Sequence, residues 1–175
     1  MMVEATIALL VAAAWLARWL WKTRRGDGST RLPAEMRSAE LVFSERLFHA
    51  TTPIVISAKV DRVYRRCDGV FVLLELKTRS HARIYPSDVI ELSAQRVALL
   101  RDLGQPVAGY GYVLIQDSSG RQLACRRVRL LSESSVARLA ARRRNLLAGV
   151  DQPVANGAPH LCRSCPQRPL CGRSA

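Results

Sequence analysis

The sequence predicts an α/β domain, a mixed central sheet flanked by helices, preceded by an N-terminal transmembrane helix. Three observations carry that expectation. Val70 to Leu76 (VFVLLEL) is almost wholly apolar, the pattern of a strand buried on both faces. β-rich runs alternate with segments at helical spacing in the order α-β-β-α-β-β-α, which suits helices packed around one sheet. The N-terminus opens with an uncharged run from Ala5 to Ala17, resumed after Arg18 by Trp19, Leu20 and Trp21.

The composition is compatible with that architecture. A chain of 175 residues holds one domain with appendages. A hydrophobic fraction of 49% against 23% charged excludes a disordered or collagen-like polymer, because a core can form. Lys and Arg outnumber Asp and Glu by 27 to 14, a net charge of +13. Such a surface favours polyanions, either nucleic acid or an anionic membrane. Five cysteines, an odd number, argue against a disulfide scaffold.

Residues 1–21 read as a membrane anchor. Seventeen helical residues from Ala5 to Trp21 reach roughly 25 Å, close to the hydrocarbon thickness. Arg18 sits near the end, where its stem can snorkel. Trp15, Trp19 and Trp21 suit the interface. Lys22, Arg24 and Arg25 place the C-terminal side in the cytoplasm by the positive-inside rule. The region lacks the basic start of a cleaved signal peptide, since its early charge is Glu4. An interfacial helix or an amphipathic core helix is the alternative.

Residues 22–33 read as a basic, Gly-containing linker. Residues 34–150 form the core domain. It is expected to begin with a helix from Ala34 to about Phe48, then a strand from Pro53 to Val60 that continues toward Tyr64. Asp68-Gly69 marks a hairpin before the apolar strand. Asp88 is the expected N-cap of the next helix, with Glu91 completing a capping box. Val89, Leu92, Leu99 and Leu103 form its apolar stripe and Gly104 ends it. A strand from Pro106 to Ile115, a turn at Asp117 to Gly120, a return strand from Gln122 to Leu130 and a helix from Ser132 to Leu147 complete the core. That last helix carries Arg138, Arg142, Arg143 and Arg144, candidates for a phosphate-binding surface.

The chemistry concentrates where the apolar strand ends. Glu75 and Lys77 share one face of that strand, and Leu76 points the other way. If the preceding strand pairs with it through the hairpin, Asp61 approaches Glu75. Two adjacent carboxylates repel unless a cation lies between them, and hard divalent ions suit oxygen ligands. An ordinary solvated strand-end pair is the plainer alternative.

The ordered set Ala58-Lys59-Val60-Asp61-Arg62-Val63, hairpin, Glu75-Leu76-Lys77 resembles the PD-(D/E)XK nuclease superfamily. It is most similar to the RecB-type branch, including its CRISPR-associated exonucleases. The resemblance implies a restriction-endonuclease-like sheet and a metal-dependent DNA nuclease. It assigns His49, Asp61, Glu75 and the Leu76 carbonyl to Mg²⁺ or Mn²⁺, Lys77 to the attacking water or transition-state charge, and Gln95 to the site. Two positions depart from the branch pattern: Ala58 stands where Gly is common, and Leu99 where Tyr follows the Gln.

Residues 151–175 contain His160, Cys162, Cys165 and Cys171 in a Pro- and Arg-rich tail, and read as a metal-binding segment. Soft thiolates select Zn²⁺ or an iron–sulfur cluster. The branch often carries this cysteine spacing and binds a 4Fe–4S cluster with one further upstream cysteine. This chain has no cysteine before Cys67, leaving Cys67, Cys125 or His160 as a fourth ligand. Two other classes remain open from sequence: a catalytically inactive nucleic-acid-binding or scaffold protein that keeps the fold, and a membrane-surface adaptor.

Overall fold

A computed structural model describes residues 32–154 and, in the tail, Cys162, Arg163, Cys165, Pro166 and Arg168. The chain divides into two compact units, Met1–Glu133 and Ser134–Ala175. The expected anchor helix lies outside the described residues. Among those described, no helix is long and apolar enough to cross a membrane.

The first unit is a five-stranded mixed sheet in sequential order: β1 (Glu40–Ala50), β2 (Ile56–Arg65), β3 (Phe71–Thr78), β4 (Val107–Gln116) and β5 (Gln122–Arg129). β3 and β4 are parallel and the other neighbours antiparallel. The parallel step requires a crossover, which α1 (Pro86–Leu103) supplies. The Asp68-Gly69 hairpin closes as expected, with Gly69 at φ 81° and its N–H donating to the Arg66 carbonyl at 2.9 Å. Gly104 ends α1 at φ 63°.

The expected first helix does not form. Its Ala34-Glu35-Met36 start makes a single 3-10 turn, and residues 40–50 become β1. Leu41, Val42, Leu47 and Phe48 fit neither period cleanly. The open edge of β2 then decides, because pairing there satisfies the backbone of the whole segment. The capping of α1 also differs from expectation. Pro86 begins the helix, a position where its fixed φ and missing N–H cost nothing. Asp88 is therefore the third helical residue, and its carboxylate accepts the Tyr85 N–H at 2.8 Å.

The sheet has two apolar faces. On one, Phe48, Val60, Val63, Phe71, Leu73, Val113 and Ile115 pack with Leu92, Ala98 and Leu99 of α1. On the other, Tyr64, Val72, Leu74, Tyr112 and Leu114 pack with Met36 of the 3-10 turn. β3 is buried on both faces, as its composition implied. Gly111 lets the β3 backbone approach closely: a Cβ there would lie 3.1 Å from the Leu73 carbonyl oxygen, whereas Leu92 of α1, at 3.6 Å, would be in ordinary contact. Gly111→Ala should lower stability by about 1–3 kcal/mol through overpacking, seen as a lower denaturant midpoint at unchanged m-value.

The second unit holds all but the first residue of α2 (Glu133–Leu147), which exposes Arg138, Arg142, Arg143 and Arg144. Its Arg138 Nη2 donates to Ser135 Oγ at 3.1 Å.

Candidate active site

The site begins where a ladder stops. β2 and β3 pair from Arg65↔Phe71 to Arg62↔Leu74 and then part. The next residues are Asp61 on β2 and Glu75 on β3. In the gap, Asp61 Oδ2 accepts the Leu76 N–H at 2.7 Å, replacing the missing backbone partner. A residue's N–H and C=O leave a strand on the same edge, so the Leu76 carbonyl faces this gap too.

Glu75 is 3% exposed. Its Oε1 accepts from Lys77 Nζ at 2.6 Å and its Oε2 from Gln95 Nε2 at 2.7 Å. Gln95 Nε2 also donates to the Lys59 carbonyl at 3.1 Å, tying α1 to β2 and β3 together. Its Oε1 is buried with no hydrogen-bond partner among the described residues. Lys77 Nζ makes a second contact, to Glu91 Oε2 at 2.6 Å.

Burial pushes the Glu75 carboxyl above the ordinary carboxylate range. The charges of Asp61 and Glu91 add to the rise, and the bonds from Lys77 and Gln95 only partly oppose it. Burial alone would lower the Lys77 ammonium, but bonds and charge from Glu75 and Glu91 outweigh it and hold the group above its usual value. The arrangement is thus a costly buried anion with a second carboxylate nearby, and a cation between them relieves both problems. The donors are two carboxylates and one backbone carbonyl, all hard oxygens, which fit Mg²⁺ or Mn²⁺.

The structure brings Asp61, Glu75, Leu76, Lys77 and Gln95 to one end of the sheet. It does not bring His49 there. His49 is exposed near the end of β1, opposite Ser57, whose Oγ lies 2.8 Å from its Nδ1. Ser57 is four residues along β2 from Asp61, about 13 Å at strand rise. Among the described residues no group of three or more His, Cys, Asp or Glu could hold a metal ion. Glu91 is the residue that sequence reasoning missed. Its signal was present: Glu91 and Gln95 are four apart and share a helix face.

The loop from β3 to α1 is pinned beside this cluster. Arg79 forms a two-pronged bond with Asp88, 2.8 Å from Nη1 to Oδ2 and 2.6 Å from Nη2 to Oδ1. The Arg79 guanidinium, with the Tyr85 N–H, holds the Asp88 carboxyl below the usual range despite its burial.

In the tail, Cys162 and Cys165 are free thiols, half-buried, with the Cys165 N–H directed at the Cys162 carbonyl at 3.4 Å. Cys171 and His160 lie outside the described residues. Cys67 is exposed in the hairpin, and burial pushes the Cys125 thiol up to about 11.

A mixed sheet whose two antiparallel strands part at paired carboxylates, with a lysine on the buried one, defines a restriction-endonuclease-like α/β protein. The PD-(D/E)XK nuclease superfamily model matches residues 4–172, and the chain belongs to that superfamily. Members are typically metal-dependent nucleases, generally with Mg²⁺ or Mn²⁺, acting on nucleic acid. No curated protein matches the sequence. A solved structure described as "Crystal structure of SSO0001" is 18% identical, with a TM-score of 0.41, over 93% of this chain and 70% of that one.

Proposed function

We propose that the chain is a metal-dependent DNA nuclease of exonuclease type, tethered to the cytoplasmic face of a membrane by residues 1–21. The observation that carries the nuclease reading is the set at the parting of β2 and β3: Asp61 in the gap, Glu75 buried beside it, and Lys77 Nζ 2.6 Å from Glu75. A divalent cation bound there would polarise a phosphodiester oxygen and lower the pKa of a water molecule. Asp61, Glu75 and the Leu76 carbonyl would hold it. Lys77 offers its ammonium to charge developing on the phosphate, and Gln95 fixes the orientation of Glu75. The exonuclease type and the tether rest on the RecB-type resemblance and on the apolar, Trp-flanked N-terminus.

The test uses the full chain in detergent with labelled single- and double-stranded DNA, linear and circular, and RNA. Cleavage of linear DNA with Mg²⁺ or Mn²⁺, abolished by chelation, supports the reading. Cleavage of circles makes it an endonuclease, and no cleavage with either ion overturns it in favour of an idle scaffold.

The tail is proposed to hold a 4Fe–4S cluster through Cys162, Cys165 and Cys171, because thiolates in a polar segment suit soft metals. Protein purified without oxygen should be brown with broad visible absorbance, and Cys162→Ser or Cys165→Ser should bleach it. A colourless protein with stoichiometric zinc would assign Zn²⁺ instead. Metal-free protein with all three thiols open to alkylation would show that the tail carries none.

A further inference from the structure

The β3–α1 loop, residues 79–85, is more ordered than a connection requires. Arg79 grips buried Asp88 with both terminal nitrogens, and its Nη1 also donates to the Arg83 carbonyl at 2.9 Å. The Arg83 N–H donates to the His81 carbonyl at 2.9 Å. The Tyr85 backbone N–H is held by Asp88. Every second or third residue is therefore anchored, and the loop presents one shape.

What that shape presents is cationic and aromatic. The Tyr85 ring has the Arg79 guanidinium 4.7 Å from its centroid and the Arg83 guanidinium 5.2 Å from it. Its hydroxyl pairs with His81 Nε2 at 2.9 Å, and Ser80 Oγ lies 3.1 Å from His81 Nδ1. The Arg79 fork is spent on Asp88. Arg83 is different: its side chain is exposed, stacked on Tyr85, and has no acidic partner among the described residues. A stacked guanidinium keeps its N–H fork pre-organised for an anion with paired oxygens.

The position selects the anion. The loop joins the strand carrying Glu75 and Lys77 to the helix carrying Glu91 and Gln95. Glu91, which touches Lys77, is one helical turn beyond the Asp88 that anchors the loop. Backbone phosphates recur every few ångströms along a nucleic-acid strand.

We propose that Arg83, stacked on Tyr85 within the Arg79–Asp88-braced loop, binds a backbone phosphate of the nucleic-acid strand next to the one placed at Glu75 and Lys77. This rests on the nuclease reading, and the experiment keeps the two apart. Cleavage by the unaltered full chain tests the nuclease reading. Binding of labelled single- and double-stranded DNA tests the loop, measured over a series of salt concentrations in a full-length Glu75→Ala background that need not cleave.

In that background Arg83→Ala should weaken binding about tenfold and reduce the log–log salt slope by about 0.7–0.9, one phosphate contact. Arg83→Lys should keep the slope, because the charge stays, while affinity falls with the loss of the fork. Arg65→Ala removes another exposed arginine, at the hairpin end of β2 where it pairs with Glu40, and should leave the slope unchanged. An unchanged slope and affinity in Arg83→Ala overturns the proposal whether or not the parent cleaves. So does an equal loss of slope in Arg65→Ala, which would mean only diffuse attraction.

Discussion

Glu75→Ala should lower the metal-dependent cleavage rate by about 10³-fold or more, since removing even one electrostatic stabiliser of a transition state costs about 10²–10³. Glu75 is the hub of the cluster, with Lys77 on one oxygen and Gln95 on the other. Its loss leaves Asp61 as a single carboxylate and frees the Lys77 ammonium to swing to Glu91 alone. Raising Mg²⁺ should not restore the rate. Lys77→Ala should cost about 10²–10³ in kcat while retaining metal binding, because it removes charge stabilisation and no ligand. Asp61→Asn should keep the fold, because an amide oxygen can still accept the Leu76 N–H, but should lose metal affinity. These outcomes are read from cleavage kinetics beside metal titrations. Parental cleavage by both Glu75→Ala and Lys77→Ala would remove the site from this end of the sheet.

Asp88→Asn should destabilise the protein by about 3 kcal/mol, the low end of the cost of breaking a buried ion pair, because the Arg79 side chain is one-fifth exposed. That is a sizeable share of a typical total of about 5–15 kcal/mol. The Asp88 side chain is almost fully enclosed and accepts from both Arg79 and the Tyr85 backbone. The pH dependence follows from its depressed pKa. A carboxyl held lower in the folded than in the unfolded chain stabilises fully above the unfolded value, near 3.8, and loses that contribution as pH falls through the folded value. The gap in stability between parent and variant should be full at neutral pH and close as the pH drops below about 4. A gap of the same size in strong acid would show that shape rather than charge accounts for it.

Much of the sheet was legible because its signals are local. Val70 to Leu76 is apolar enough to be read as a doubly buried strand, and Asp68-Gly69 and Gly104 mark turns by the positive φ that glycine supplies. The order and spacing of Asp61 and Glu75 about the hairpin are legible too, and the two residues lie just past the last paired positions, Arg62 and Leu74. β1 was not legible, because the apolar positions of residues 40–50 fit a helix or a strand about equally, and the unpaired edge of β2 settled the choice. His49 was assigned by resemblance to a motif, whereas its position follows from the register of β1, which sets it opposite Ser57.

Glu91 and Asp88 show the same division. Their helical spacing is legible and suggests Asp88 as a cap with Glu91 as its partner. The position of α1 over β3 gave Asp88 to Arg79 and Glu91 to Lys77. Local patterns alone specify which segments bury their side chains, where the chain turns, and that two carboxylates and a lysine sit on neighbouring strands. Each of those depends on residues near one another in the chain. Long-range packing sets the edge strand, the point where β2 and β3 part, and which α1 side chains reach Glu75 and Lys77. Those depend on hydrogen bonds between segments distant in sequence, whose register no local pattern specifies.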